Sequence, residues 1–272
     1  MSPHRQLITA RHDAILRRNT SRSVETDERL NILVTADVHA NLVALEAVLR
    51  DCPSVDGLWS LGDSVGYGPR PGQCLTLLRG SNPLMTLAGN HDLAAIGALS
   101  LAAFNPTAQA AARWTARNLT EPQRAHLASL PAMTTDQGFT LVHGSPRDPI
   151  WEYVTDSRTA AAALRDIETD VCFVGHSHVA MYATLQAHQT RPELFSLADG
   201  QTLELGSARF LINPGSVGQP RDRDPRAAYA ILDTERGTLT GHRVDYDIEA
   251  TQRQIYEAKL PFLLAERLAD GV

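Results

Sequence analysis

Short apolar runs alternate with helical patterns through the first third of the chain, and polar residues follow each run directly. Three of these runs indicate buried β-strands, at residues 30–36, 57–61 and 84–88. The segments between them, residues 41–50 and 72–78, carry apolar residues at helical spacing. This repeated order of strand, polar loop and helix predicts a largely parallel, covered sheet with a functional site at the carboxyl ends of its strands.

The rest of the chain continues with both kinds of element. Residues 139–142 and 171–174 are predicted strands that lead to histidines, and residues 156–167 form an alanine-rich helical pattern between them. Later segments alternate apolar and polar residues like antiparallel strands: 181–186, 201–205, 208–212, 227–232 and 239–244. Further helices are predicted at residues 105–118, 121–130, 248–258 and 261–268. Together these patterns predict an α/β protein.

Five polar clusters at the ends of apolar runs or beside glycines contain residue types that bind metal ions. In chain order they are Asp37-Val38-His39, Gly62-Asp63, Gly89-Asn90-His91-Asp92, His143-Gly144-Ser145 and Gly175-His176-Ser177-His178. One such cluster is more often a surface or hydrogen-bonded group, but five in order, each after a predicted strand, indicate a site. Oxygen and imidazole ligands suit divalent transition metals. A close pair of metals can hold the attacking and leaving oxygens of a phosphoryl transfer, so the clusters predict phosphoester chemistry.

These motifs closely resemble the signature of the calcineurin-like metallophosphoesterases: D-x-H, G-D, G-N-H-[DE], a histidine after a strand, and G-H-x-H. The resemblance covers roughly residues 31–245, and residues 62–69 and 213–220 are similar to the small prokaryotic, phosphodiesterase-type branch. It implies that family's four-layer α/β/β/α sandwich, with two mixed β-sheets flanked by helices.

The resemblance also implies two metal ions and assigns seven ligands to them. Asp37, His39 and His178 hold one ion, Asn90, His143 and His176 hold the other, and Asp63 bridges. Two histidines two residues apart would share a side on an extended segment, so the loop carrying His176 and His178 must curve to serve both ions. We expect manganese, and iron, zinc, nickel and magnesium stay open because geometry and availability also select the metal.

The mechanism implied by the resemblance is hydrolysis by a metal-bridging hydroxide, with His91 as general acid. Asp92 follows His91 directly and is expected to orient its imidazole. We therefore predict a two-metal phosphodiesterase for small nucleotide-like or cyclic-nucleotide substrates. One alternative is a phosphomonoesterase or protein phosphatase at the same site. Another is a non-catalytic metal-binding scaffold, against which His91 argues, because the family's scaffold member in retromer lacks that histidine.

Four further residues are candidate substrate contacts: Tyr67, Arg147, Trp151 and Arg221. An arginine can bind phosphate through two parallel hydrogen bonds, and an aromatic ring can stack on a base. The alternative interpretation is a solvated charged loop with aromatic residues packed for structure.

Composition bears on partners and location. The 272 residues carry a net charge of -6, so a generally basic surface for nucleic acid is not favoured. The three cysteines are widely spaced and form no C-x-x-C pair, which predicts reduced thiols and a cytoplasmic protein. No apolar run reaches transmembrane length, so no membrane is expected as a partner.

Residues 1–29 are a polar, arginine-rich extension predicted to be partly disordered, and residues 30–272 are predicted to form one metallophosphoesterase domain of undetermined oligomeric state.

Overall fold

The computed structural model of the chain describes residues 29–206 and 208–272. Residues 1–28 of the predicted N-terminal extension lie outside the described residues. The division of the chain into extension and domain therefore stays a prediction.

Two six-stranded sheets form the centre of the described structure. The strands are β1 (Asn31–Thr35), β2 (Gly57–Ser60), β3 (Pro83–Thr86), β4 (Met133–Asp136), β5 (Phe139–Val142), β6 (Val171–Phe173), β7 (Met181–Leu185), β8 (Glu193–Ser196), β9 (Thr202–Glu204), β10 (Arg209–Asn213), β11 (Ala227–Asp233) and β12 (Thr238–Val244). One sheet has the order β3-β2-β1-β11-β12-β9 and the other β4-β5-β6-β10-β7-β8. Strands β1, β2 and β3 pair in parallel, as do β5, β6 and β10, and the other pairings are antiparallel. Both sheets are therefore mixed, as the resemblance implies.

Helices connect the strands and close the chain. They are α1 (Leu42–Asp51), α2 (Pro71–Gly80), α3 (Asn90–Ala95), α4 (Pro106–Asn118), α5 (Glu121–Ala128), α6 (Ser157–Arg165), α7 (Ile248–Glu257) and α8 (Leu263–Asp270), with a short 3-10 turn at Leu101–Ala103. The side chain of Asn41 caps α1 by accepting from the Ala44 amide, and Asn105 caps α4 in the same way. Within the described ranges, no helix is long and apolar enough to cross a membrane.

The alternation of side chains along β1 explains the layers. Ile32 and Val34 pack against the facing sheet, whereas Leu33 packs on the helix side with residues of α1. Between the sheets, the Trp59 ring lies 5.7 Å from Phe139 and 5.6 Å from Phe173. The outer face of the second sheet is covered by α6. The predicted α/β/β/α sandwich is confirmed.

Two strands of the second sheet were not predicted. β4 and β8 lie at its two edges, and their residues are intermediate or exposed. An edge strand with little buried surface needs few apolar residues, so its sequence lacks the run that marks a buried strand.

Candidate metal centre

The metal-ligand clusters all lie where parallel strands end. Asp37 and His39 follow β1, Asp63 follows β2, and Asn90 begins α3 after β3. From the second sheet, His143 follows β5 directly, and the two histidines of the last cluster follow β6. Because the sheets face each other, their carboxyl ends bring these loops into one buried region.

Five candidate ligands have left-handed backbone conformations that L-residues rarely adopt. The φ angles are 54° for Asp37, 48° for His39, 53° for Asp63, 65° for His176 and 60° for His178. Such conformations cost about 1–3 kcal/mol each and concentrate at functional sites. The left-handed conformations of His176 and His178 also make their loop curve. Such a curve would allow the two side chains to reach different ions.

The side chains form two groups that share Asp63. In the first group, His39 Nε2 lies 3.0 Å from His178 Nε2 and 3.6 Å from Asp63 Oδ2, and His178 Nε2 lies 3.5 Å from Asp37 Oδ1. One ligand atom from each of these four residues lies within 4.8 Å of the others.

The second group consists of Asp63, His143, His176 and Asn90. His143 Nε2 lies 3.6 Å from Asp63 Oδ2 and 3.2 Å from Asn90 Oδ1. Ligand atoms of Asp63, His143 and His176 again lie within 4.8 Å of one another. Asp63 is therefore placed between the two groups, where a bridging carboxylate would stand.

Hydrogen bonds on the far side of the imidazoles test whether these residues fit a metal. The Nδ1 atoms of His39, His143 and His178 lie 3.2, 2.9 and 2.6 Å from backbone carbonyl oxygens. Those carbonyls belong to Val65, Leu61 and Gln219. A carbonyl only accepts, so each Nδ1 carries the proton and each neutral Nε2 is an acceptor.

Acceptors alone converge at the centre. Two bare Nε2 atoms 3.0 Å apart, on His39 and His178, repel each other unless a cation lies beside them. Asp63 Oδ2 and His176 Nε2 are likewise buried and find no hydrogen-bond partner within residues 29–206 and 208–272. Buried polar atoms are rarely left unpaired, so this set fits divalent cations and does not fit a self-contained hydrogen-bonded core.

Comparison with known proteins agrees with this geometry. Residues 30–237 match the calcineurin-like phosphoesterase superfamily domain, which is more than half of the chain. The chain belongs to the calcineurin-like phosphoesterase superfamily. It is a metallophosphoesterase by family, with Asp and His groups able to bind metal ions.

Individual relatives span much of the calcineurin-like chain. An uncharacterized protein of Methanocaldococcus jannaschii is 35% identical over 249 residues, which cover 88% of this chain and 98% of that protein. A symmetrical bis(5'-nucleosyl)-tetraphosphatase of Actinobacillus pleuropneumoniae is 28% identical over 189 residues, 66% of this chain but only 64% of that enzyme. The crystal structure of a metallophosphoesterase from Sphaerobacter thermophilus is 49% identical with a TM-score of 0.82, and covers 90% of this chain and 100% of that one.

Burial sets the charge of the candidate ligands. It lowers the pKa of His143 to about 4 and that of His176 to about 2, so both imidazoles are neutral and free to coordinate. Burial also raises the pKa of Asp63 to about 7 and holds that of Asp37 well above its usual range, where the neighbouring Asp63 adds to the effect. The chain thus places carboxylates where their negative charge is disfavoured without a nearby cation.

His91 lies beside the first group without joining it. Its ring centroid is 5.0 Å from that of His39 and 4.2 Å from that of Tyr67, and its backbone amide donates to Asp63 Oδ1 at 2.8 Å. Its Nδ1 is buried and has no hydrogen-bond partner in the described part of the chain. Burial, followed by the charge of Arg221, lowers the pKa of His91 to about 3, so the resting ring is neutral.

Asp92 does not play the predicted part. Its carboxylate accepts hydrogen bonds from the backbone amides of Ser64, Val65 and Gly89, at 3.0–3.2 Å. No hydrogen bond of Asp92 within the described ranges goes to His91, so the expectation that it orients that imidazole is corrected. The carboxylate instead joins the loop after β2 to the start of α3, which positions Asp63 and Asn90 relative to each other.

Two of the predicted substrate contacts lie at the metal centre. Tyr67 is buried and its ring is 4.5 Å from that of His39, and the Arg221 guanidinium carbon lies 5.8 Å from the Tyr67 ring centroid. Burial raises the pKa of Tyr67 and of Tyr153, and the positive charge of Arg221 partly offsets both rises. Arg221, whose Nη2 donates to Gln219 Oε1 at 3.0 Å, therefore lies beside Tyr67 and near enough to the candidate ligands for its charge to oppose the raised pKa of Asp63.

The other two predicted substrate contacts, Arg147 and Trp151, have partners outside the group of candidate ligands. Arg147 pairs with Glu152, which also accepts from Ser145, and none of its hydrogen bonds in the described residues reaches a candidate ligand. The Trp151 ring packs 5.1 Å from that of Phe104. The backbone of Trp151 forms a hydrogen bond with His176 that partly opposes the lowering of the His176 pKa by burial.

Tyr153 was not among the four predicted contacts. Its ring stacks on His176 at a centroid distance of 3.9 Å and an angle of 16°, and it is 48% exposed. In the sequence, Tyr153 is marked only as an aromatic residue two positions after Trp151. The curvature of the loop in the structure shows that Tyr153, and not Trp151, stacks on a candidate ligand.

Proposed function

We propose that this chain hydrolyses small phosphodiesters at a centre of two divalent metal ions. The observation that carries the proposal is the convergence of imidazole Nε2 atoms, each an acceptor, around the unpaired Oδ2 of buried Asp63. Asp37, His39 and His178 would hold one ion, Asn90, His143 and His176 the other, and Asp63 would bridge. When bound, such ions supply Lewis-acid charge to phosphoryl oxygens and lower the pKa of water.

The residues around the ligands would bind the phosphate and move a proton. Arg221 is the candidate phosphate ligand because its Nε is buried and has no partner among the described residues. Its Nη2 donates to Gln219 Oε1 at 3.0 Å, which holds the guanidinium beside the Tyr67 ring. His91 is the candidate general acid. Its low pKa requires the anionic phosphate to bind first, because a nearby negative charge favours the imidazolium.

A diester or related nucleotide substrate is supported by one relative. The Actinobacillus pleuropneumoniae relative is a symmetrical bis(5'-nucleosyl)-tetraphosphatase. Manganese as the metal and the cytoplasm as the location stay predictions. The free state of Cys52, Cys74 and Cys172 is compatible with a reducing compartment.

The test is a substrate panel with each divalent metal added to metal-free protein. The panel contains bis(p-nitrophenyl) phosphate, p-nitrophenyl phosphate, 2',3'- and 3',5'-cyclic nucleotides and diadenosine tetraphosphate. We expect metal-dependent turnover of diesters in wild type, and a loss of about 100-fold or more in His91→Ala and Asp63→Asn. Arg236→Gln is the matched control, because that side chain is 81% exposed and pairs with Asp233.

Three outcomes would change the proposal. Faster turnover of p-nitrophenyl phosphate than of any diester would favour a phosphomonoesterase. Full turnover in His91→Ala would remove that residue from the mechanism. No turnover of any phosphoester, in protein shown by elemental analysis to hold two ions, would overturn the proposed activity.

A further inference from the structure

A cavity of about 410 Å3 borders the metal centre and shares the side chain of Tyr67 with it. The cavity is lined by Tyr67, Asn105, Pro106, Thr107, Leu263, Leu264 and Arg267. The Tyr67 ring packs 4.5 Å from that of His39 and 4.2 Å from that of His91. One wall of the cavity is therefore in contact with a candidate ligand and with the candidate acid.

Arg267 gives this cavity, which we call the Arg267 cavity, a positive charge. Its Nε donates to an oxygen of Val272, the last residue of the sequence, while its Nη1 and Nη2 atoms have no hydrogen-bond partner within residues 29–206 and 208–272. No Asp or Glu side chain in those ranges forms an ion pair with it. The same is true of Arg221 among the residues described. A partly buried guanidinium with unpaired N–H groups suits an anion that arrives from outside.

The two arginines lie on elements that are joined to each other. The Arg223 amide donates to the Gly271 carbonyl at 2.9 Å, which ties the loop that carries Arg221 to the end of α8. Burial, and next the charge of Arg221, lowers the pKa of Arg267. The positive charge thus extends from the metal centre into the cavity.

The rest of the lining is largely apolar. Leu263 is 51% exposed at the cavity, beside Phe262, which is 57% exposed. Leu264 and Pro106 complete an apolar surface. Pockets of about 300–1,000 Å3 with mostly apolar walls and a few polar groups are typical of small-molecule sites. This combination suits an organic group that carries an anion.

We propose that the Arg267 cavity binds a second phosphate, together with the organic group attached to it, of a substrate whose first phosphate lies at the metal centre. The substrate class is a phosphoester that bears a further phosphate, such as a nucleoside polyphosphate. The inference rests on the proposed function for the position of the first phosphate. Helix α8 lies beyond residues 30–237, which match the superfamily domain, so the chain sets this specificity with an element outside that domain.

The experiment compares wild type with Arg267→Gln on two substrates, diadenosine tetraphosphate and bis(p-nitrophenyl) phosphate. Only the first carries further phosphates. Because Arg267→Gln removes a charged hydrogen-bond donor, we expect the ratio of the two kcat/KM values to fall about tenfold or more, chiefly through KM. Arg253→Gln is the control, because Arg253 on α7 is 61% exposed and already pairs with Asp247 and Glu249.

Binding of ADP to metal-free protein, followed by titration calorimetry, gives a readout that needs no turnover. We expect weaker binding in Arg267→Gln and in Leu263→Glu, which places a negative charge at an exposed cavity position. An unchanged kcat/KM ratio with unchanged ADP affinity would overturn the inference. If wild type turns over neither these two substrates nor any other phosphoester of the panel, the proposed function fails, and the ADP titration still decides whether the cavity binds phosphate.

Discussion

Replacement of Asp63 by asparagine should stabilise the metal-free protein while removing its response to metal. Asp63 Oδ2 is buried, 3.6 Å from His39 Nε2 and 3.6 Å from His143 Nε2, and no described group donates to it. In Asp63→Asn, the side-chain oxygen can still accept from the His91 amide, and the new NH2 group can donate to the bare Nε2 atoms.

The size of the effect follows from the unpaired oxygen. A buried polar atom without a partner costs about 1–3 kcal/mol, and more when it is charged. Recovery of that free energy should raise the Tm of the metal-free protein by roughly 2–12 °C, at about 2–4 °C per kcal/mol for a domain of this size class. Metal at 100 times its Kd adds about 2.7 kcal/mol to the wild type, or roughly 5–11 °C. The difference in Tm between Asp63→Asn and wild type should therefore become smaller, or change sign, once metal is present.

The assay is thermal unfolding of chelator-treated protein, followed by titration with manganese. Asp136→Asn is the matched control, because Asp136 Oδ2 already accepts from Trp59 Nε1 at 2.7 Å, so this variant should respond to manganese like wild type. A metal-free Asp63→Asn protein that melts below wild type would refute the argument from the unpaired oxygen. An equal rise in Tm with manganese in both proteins would refute the bridging position.

Three further changes test the surroundings of the ligands. In Gly66→Ala, the new Cβ would lie 2.8 Å from His91 Nδ1 at a φ of 92°. Steady-state kinetics should therefore show a fall in kcat of about tenfold or more, or about 1.4 kcal/mol, with manganese affinity retained. An undiminished kcat would contradict the assigned position of the acid. Asp92→Ala leaves three backbone amides without their acceptor. Manganese affinity, measured by calorimetry, should therefore fall about 10–100-fold. Unchanged affinity would exclude a role for Asp92 in positioning Asp63 and Asn90. Tyr153→Phe removes the hydroxyl group, whose pKa responds to the charge of Arg221, but keeps the ring that stacks on His176. KM for bis(p-nitrophenyl) phosphate should therefore rise about two- to tenfold and rise further in Tyr153→Ala. Equal KM values in all three proteins would place Tyr153 outside the substrate site.

Local pattern was sufficient for the elements that are buried. β1 and β2 are continuous apolar runs because both faces of these strands are covered. β3 is an edge strand with exposed and half-buried residues but still carries an apolar run, and all three strands were predicted within two residues at either end. Their carboxyl-end loops carry the ligand residue types in order, which a sequence displays directly. The edge strands β4 and β8 escaped prediction because they bury too little apolar surface to leave a pattern.

Side-chain partners near the ligands could not be inferred from proximity in sequence. Asp92 is adjacent to His91, yet its carboxylate turns to three backbone amides, because unpaired amides at the start of α3 and in the loop after β2 need an acceptor. Trp151 and Tyr153 occupy one loop, and only Tyr153 stacks on a ligand.

The sequence by itself determined the three strands of the first sheet's parallel half, the identity of the candidate ligands and the superfamily resemblance, because apolar periodicity and ligand chemistry are properties of residues and their spacing. Only the tertiary structure decided which atoms meet. The pairing of His39 with His178, 139 residues apart, and the approach of Arg267 to the loop of Arg221 depend on how two sheets and a C-terminal helix pack. Such contacts arise from the shape of the whole core, which no short stretch of sequence encodes.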